Sequence, residues 1–537
     1  MDVRRGPTDP RLLGILAVGA FLRLFQLGHE SLWTDELITL DFVTRWSGLE
    51  LLVNLPQAQP HLPLYYVVLD AWVAVAGTSE TALRFPSAVF GILAVLATYG
   101  VGTRLLDHET GLLAALLLAV SPFHVRFSQE VRMYSLLVFL TVASVYCLLR
   151  VRDDPSRPNL AGFALTTALL AYTHVFAVFV VLAEGVYVCY RLWAAEAEGQ
   201  PLRTWATAFA PVGLALVPFA AAAVVMLPRA DGVLSYVPPP TATRIVKMVS
   251  TYVGYGFGTT DLVHAVVAPL FLGVAGLGLV AYRLDGFDPV APLRSVREGV
   301  AVRLEAAETD ASVLLVALFA LPFGLPLVLS YAVSPVFWPR YTIAASVGLF
   351  LLVARGVRRV DTPVLRYALA GLLVLSVVPS LGIYYTADQK EQWREVGATV
   401  DQRAESGELV LVADQISERA VHHYVDREDV AVKGLVVENS GTGYAPVENA
   451  TVREMQRGEP GVWLVFSHAS EAERARIRAL VSEGRERTFH RRYEGVEVYR
   501  YVTTDKAETA SDTTRRSAVV HGFHPAYATS KFGRPHR

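Results

Sequence analysis

Charge is what this sequence has least of. Asp, Glu, Lys and Arg make up 18% of its 537 residues, against about a quarter in a soluble protein. Hydrophobic residues reach 53%, and the mean hydropathy is +0.37. The shortage is uneven, because charges gather before residue 12, in short loops and after residue 386. That distribution excludes an ordinary soluble enzyme and points to a membrane domain followed by a soluble one. A net charge of −2 gives nucleic acid nothing to bind. Only two cysteines occur, Cys147 and Cys189, both in apolar runs, and they form neither a CxxC pair nor a zinc pattern. There is no glycine-rich phosphate loop and no internal repeat of the kind transporters carry.

What is present is a series of apolar runs of spanning length, near 12–28, 84–105, 111–125, 133–150, 160–173, 174–193, 204–227, 262–283, 311–333, 340–357 and 364–385. The first follows Arg4, Arg5 and Arg11 and lacks a small-residue cleavage site, so it reads as a retained anchor. A twelfth run, 61–76, is shorter, contains Asp70 and ends in Gly77-Thr78-Ser79-Glu80. The groups Arg4/Arg5, Arg104, Arg150/Arg152/Arg157, Arg191/Arg203, Arg283/Arg294/Arg297/Arg303 and Arg355/Arg358/Arg359 share one side only if that run does not cross. The positive-inside rule then places the N-terminus in the cytoplasm and lays 61–76 along the outer interface. It also puts the loops 28–83, 121–132, 228–261 and 334–339 outside. Beyond residue 387, Glu408–Ala413, Gly461–Ser467 and Val496–Val502 read as strands, and Ser470–Glu483 as a helix. The expected fold is a polytopic α-helical membrane protein. Residues 1–386 would form about eleven transmembrane helices plus the interfacial helix, 387–503 an extracytoplasmic α/β domain, and 504–537 a disordered tail.

Polar residues cluster at the outer face, where charge near a bilayer marks a substrate or ion pathway. Ser31-Leu32-Trp33-Thr34-Asp35-Glu36 opens the first outer loop. A carboxylate there suits a general base, since a hydroxyl nucleophile is weak until its proton is accepted; the plainer alternative is a helix N-cap. His61-Leu62-Pro63-Leu64-Tyr65-Tyr66 could equally be an interfacial aromatic belt, and Arg84-Phe85-Pro86-Ser87 a headgroup anchor. The turn from Ser121 to Ser135 holds His124, Arg126, Gln129, Glu130, Arg132 and Tyr134, more polar groups than helix capping needs. Tyr172-Thr173-His174 lies at another outer turn, where a lone His is more often structural. Phe337-Trp338-Pro339-Arg340-Tyr341 puts a forked, always-charged donor at the mouth of a span, suited to phosphate or to snorkelling toward headgroups.

Taken in order, T-D-E, H-x-P-L-Y-Y, R-F-P-S, S-P-F-H…S-Q-E-x-R-M-Y-S, Y-T-H and a late R-Y resemble the GT-C glycosyltransferases of the family-39 type, relatives of protein O-mannosyltransferases and aminoarabinose transferases. The resemblance spans about residues 10–385, and the S-Q-E-x-R-M-Y stretch is its most specific part. Where relatives often show His-Pro-Pro-Leu, this chain has His61-Leu62-Pro63-Leu64; the Trp-Trp-Asp signature of oligosaccharyltransferases is absent. The resemblance implies a dolichyl- or polyprenyl-phosphate-linked sugar donor and a glycan, lipid or protein acceptor. Transfer would take place at the extracytoplasmic face of the cell membrane. It implies Asp35 as general base with Glu36 in the same catalytic site, and His61, Glu130, Arg132, Tyr134, His174, Arg340 and Tyr341 around the donor phosphate. A divalent metal (Mg, Mn or Zn) held by Asp35, Glu36 or Glu130 is an alternative to arginine for stabilising the leaving group. The sugar is expected to be a hexose such as mannose. The competing class is a transporter or flippase of lipid-linked sugars.

Overall fold

The computed structural model describes residues 9–58, 61–194, 201–226, 237–254, 266–285, 301–306, 308–413, 415–439, 443–446 and 448–504. Arg4, Arg5, Arg294, Arg297 and the expected tail from 505 onward lie outside them. The chain forms two compact units, Met1–Lys390 and Glu391–Arg537.

The first unit is helical. In order come α1 (Pro10–Leu24), α2 (Thr34–Arg45), α3 (Leu49–Ala58), α4 (Leu64–Ala76), α5 (Glu80–Leu105), α6 (His108–Val120), α7 (Pro122–Ser128) and α8 (Tyr134–Asp153). Then follow α9 (Arg157–Ala171), α10 (Val178–Ala194), α11 (Leu202–Met226), α12 (Ala242–Gly254), α13 (Ala268–Leu277), α14 (Thr309–Ala332), α15 (Ala345–Arg358) and α16 (Pro363–Thr386). Among the described residues five helices are long and apolar enough to cross a bilayer, or six if α6 and α7 form one bent span. The chain is an integral membrane protein. Eleven runs exceed that number because several fold into helices shorter than the roughly 20 residues a crossing needs. α1 has 15 residues and α13 has 10. The expected span 262–283 is a correction: after α13 the chain turns into strand β1 (Val280–Asp285), paired antiparallel with β2 (Ala301–Ala306). The run 61–76 folds as the 13-residue α4, started by Pro63 and stopped by Gly77 in the left-handed region.

A second correction carries the site. The run 111–125 is not one helix: α6 and α7 meet at 63°. Pro122 has no N–H to continue the ladder of α6, and the Ser121 hydroxyl accepts from the His124 N–H to start α7 afresh. Carbonyls freed at the break need donors, and buried Arg23 from α1 supplies them, donating to Ala119 O at 3.0 Å and Leu118 O at 3.2 Å. Gln129 returns the favour at the end of α1, where its amide donates to the carbonyls of Leu22, Arg23 and Phe25. With lipid as apolar as leucine, helices associate through close packing of small residues. α5 and α6 touch at Gly102 and Gly111, where a Cβ on Gly102 would stand 2.6 Å from the Gly111 Cα.

The second unit is an α/β sheet. β3 (Leu409–Val412), β4 (Ala431–Gly434) and β7 (Gly461–Phe466) are parallel, and β8 (Arg485–Tyr493) and β9 (Val496–Thr503) complete the order β4-β3-β7-β9-β8. β5 (Val436–Asn439) and β6 (Gly443–Pro446) form a separate hairpin. Helices α17 (Trp393–Arg403), α18 (Gln415–Tyr424), α19 (Asn449–Met455) and α20 (Glu471–Ser482) pack around the sheet. One face buries Leu409, Leu411, Val462, Leu464 and Phe466 against Val452, Ile477, Leu480 and Val481. Ser470 caps α20 by accepting from the Glu473 N–H.

Candidate functional site

Helix α2 begins at Thr34, so Asp35 and Glu36 fall in its first turn, where the helix dipole favours negative charge. Successive helical positions point about a third of a turn apart, and the two acids therefore face different surroundings.

Glu36 is fully buried. Arg84 of α5 grips it with both arms, Nε to Oε1 at 2.9 Å and Nη2 to Oε2 at 2.8 Å. Lys390 Nζ donates to Oε2 at 3.1 Å, the Val131 N–H to Oε1 at 2.9 Å, and the Trp33 N–H to Oε2 at 3.3 Å. Burial opposes ionisation here, but Arg84 and Lys390 outweigh it and hold the carboxyl at about 2. Lys390 is pushed below its ordinary value by burial and by Arg84. The network spans 354 residues of sequence and ties the first outer loop to the turn after α7 and to the end of this unit.

Asp35 lies on the open side. Its Oδ2 accepts from Arg340 Nη1 at 2.8 Å, across 305 residues, and both side chains are less than one-fifth exposed. Beside them Arg132 donates to Asp35 O at 3.4 Å and Thr39 Oγ1 at 3.3 Å, and meets His61 Nε2 at 3.4 Å. All three partners of the Arg132 guanidinium are neutral, its Nε has no hydrogen-bond partner, and among the described residues it joins no ion pair. Burial, then Arg132, His174 and Arg340, keep the His61 imidazole well below its ordinary value. Burial and the same two arginines hold His174 down to about 3. Both are therefore neutral at physiological pH. His174 accepts from the Phe176 N–H, and its ring lies 5.8 Å from both Tyr134 and Tyr341. Tyr341 stacks in turn under the Arg340 guanidinium at 5.5 Å.

Glu130 is also buried; one oxygen accepts from Arg126 Nε at 2.9 Å and the other has no hydrogen-bond partner. Burial raises its carboxyl, more than Arg126 and Lys390 lower it. It faces the Glu36 network rather than Arg340.

The nine residues singled out in the sequence thus divide. Asp35, Arg340, Arg132, His61, His174, Tyr134 and Tyr341 gather around one centre, with Glu36 and Glu130 in the wall behind it. Sequence reasoning gave Arg84 no more than a headgroup role and missed Lys390. The spacing of the R-F-P-S motif offered a signal for the first; nothing local marks the second. The carboxylates do not fit a metal. Asp35, Glu36 and Glu130 are each matched to a cation, and among the described residues no three His, Cys, Asp or Glu side chains stand close enough to share an ion.

Residues 59–226 match the family model described as dolichyl-phosphate-mannose-protein mannosyltransferase. Among curated proteins none matches this chain. In fold it is similar to ArnT from Cupriavidus metallidurans in the apo state, with a TM-score of 0.58, 11% identity, and coverage of 92% of this chain and 98% of the other. The same protein bound to undecaprenyl phosphate gives 0.54 at 12% identity, covering 93% and 99%. An oligosaccharyltransferase from Archaeoglobus fulgidus, in complex with Zn and sulfate, gives 0.51 at 13% identity, covering 91% and 72%.

Proposed function

We propose that this chain, which has the GT-C fold, is an inverting, polyprenyl-phosphate-dependent hexosyltransferase of the family-39 type. The sugar, mannose on the strength of the matched family description, passes to a hydroxyl on a glycan, lipid or protein. The reaction takes place at the outer face of the cell membrane, with a cytoplasmic N-terminus and an extracytoplasmic domain from residue 387.

The observation that carries this reading is the Arg132–Arg340–Asp35 group. Arg340 pairs with the Asp35 carboxylate, buried Arg132 joins no ion pair among the described residues, and the surrounding histidines are neutral. The surplus positive charge suits one anion, and a forked guanidinium suits a phosphate. In the resting state Arg340 occupies Asp35. When the donor phosphate arrives, Arg340 turns to it and Asp35 is released to accept a proton. The acceptor hydroxyl attacks the anomeric carbon opposite the phosphate. The new C–O bond forms, the bond from anomeric carbon to phosphate oxygen breaks, and the proton passes to Asp35. The electron pair leaves on the polyprenyl phosphate, whose growing charge Arg132 and Arg340 are already placed to stabilise. Glu36 acts as a positioning residue, and no step needs a metal.

The test supplies a polyprenyl-phosphate hexose labelled in the sugar to the purified protein with membrane acceptors. Transfer with inverted anomeric configuration and release of unlabelled polyprenyl phosphate supports the reading. A donor carried across the membrane with its sugar–phosphate bond intact makes the protein a transporter instead.

A further inference from the structure

The turn that carries Arg340 is short, and one helix grips it at both ends. Arg340 lies in the 3-10 turn Pro339–Thr342. The hydrogen bonds within such a turn are poorly aligned, so it depends on what it packs against. Its neighbour is α12, whose Arg244, Met248 and Tyr252 stand four residues apart and so share a face. The Arg244 guanidinium lies 5.8 Å from the Trp338 ring, just before the turn. Thr342 Oγ1 meets Met248 Sδ at 3.6 Å. The Tyr252 hydroxyl reaches Thr342 Oγ1 at 2.6 Å and Thr342 O at 3.0 Å, where the turn ends. Met248, Tyr252 and Thr342 are all buried, while Val246 and Lys247, off that face, are exposed.

Helix α12 is itself fixed from behind. Ser121, at the break between α6 and α7, donates from its hydroxyl to Tyr252 O at 3.0 Å, and the Phe123 and Tyr252 rings lie 5.4 Å apart. His124 of α7 meets Ser346 Oγ, at the head of α15, at 2.8 Å. The break that precedes the Arg132 turn thereby also anchors the mount of Arg340. The Tyr252 hydroxyl is engaged with Thr342, so any influence it has on the reaction runs through the backbone of the turn.

We infer that Tyr252, with Arg244 at the other end of the turn, is a positioning residue. It fixes the backbone at Arg340 so that the guanidinium meets Asp35 and, on the reading above, the donor phosphate. An arginine side chain is long and rotates about several bonds, so its fork is aimed only if its Cα is held. The fork binds a carboxylate or phosphate in a narrow geometry, and misplacing a reacting group by an ångström can cost about 10²-fold. Y252F removes one oxygen from the contact between α12 and the turn and leaves the ring packing in place.

The experiment treats the full-length protein in lipid nanodiscs with phenylglyoxal and follows modification of Arg340 and Arg84 separately by mass spectrometry. Y252F should raise the rate at Arg340 about threefold or more, and R244Q by a smaller factor, while Arg84, buried against Glu36, reacts as in wild type. An unchanged Arg340 rate in Y252F overturns the inference. So does an equal rise at both arginines, which marks general loosening. Binding of polyprenyl phosphate is the second arm: Y252F should weaken it about threefold or more, and should add nothing in an R340A background. Equal weakening in both backgrounds overturns the inference. A wild type that binds no polyprenyl phosphate overturns the donor reading alone, and the arginine rates still decide the positioning.

Discussion

Asp35 and Glu36 are adjacent in the chain and opposite in circumstance. Glu36 answers two buried cations, so E36Q strands Arg84 and Lys390 without a counter-charge. Breaking a buried pair from one side costs about 3–5 kcal/mol, and the detergent-solubilised protein should unfold at a clearly lower temperature. D35N should leave that midpoint nearly unchanged, because Arg340 keeps a neutral acceptor and solvent access. The sign of the pH dependence follows from the depressed Glu36 value. The stability it contributes is present above its ordinary 4.5 and drains away as pH falls toward about 2. Acid unfolding followed by circular dichroism should show this loss in wild type and not in E36Q. A second pH prediction concerns the two imidazoles. Both are already neutral well above their depressed values, so the pH–rate profile should show no histidine inflection between about 5.5 and 7.5, near the ordinary value. An inflection there that vanishes in H61N or H174N would mean that a charged imidazole takes part. At this scale the T-D-E and Q-E-x-R-M-Y motifs made most of the site legible. They could not separate the acid paired with Arg340 from the acid locked between Arg84 and Lys390, because that depends on which neighbours each acid meets.

Helices were legible where hydropathy is continuous and misread where the backbone breaks. A window average over 111–125 does not register that Pro122 interrupts the ladder, nor that Arg23, nearly a hundred residues earlier, caps the carbonyls set free. The break has a consequence, because it aims Val131 and Arg132 at the α2 turn. R23M should leave the α6 carbonyls without donors, at about 1–3 kcal/mol for each orphaned group. Thermal stability and transfer rate should fall together, with the shape of the pH–rate profile unchanged. If R23M lost activity at full stability, Arg23 would belong to the reaction rather than to the scaffold. The strand after α13 was illegible for a similar reason, since Val280–Tyr282 continue the apolar run of the helix and only the partner strand β2 declares β1.

The molecule as a whole was legible as a helical unit followed by an α/β unit because the two differ in composition. Contacts such as Lys390–Glu36 were not, since no local pattern links residues 354 apart. Orientation turns on the short α4. If it lies along the outer interface, single cysteines at Thr78 or Ser79, in a background with Cys147 and Cys189 replaced by alanine, should react with an impermeant reagent from outside only. Labelling from the cytoplasm would reverse the topology from that point on.

All of this converges on the partnership of Asp35 with Arg340, and one measurement reaches it directly: single-turnover transfer from a labelled polyprenyl-phosphate hexose by wild type and D35N, with donor binding recorded in parallel. General-base catalysis is worth about 10²–10⁴-fold, so D35N should bind the donor at least as tightly, its Arg340 freed for the phosphate, and transfer sugar slower by that factor. Transfer by D35N at the wild-type rate would contradict the account.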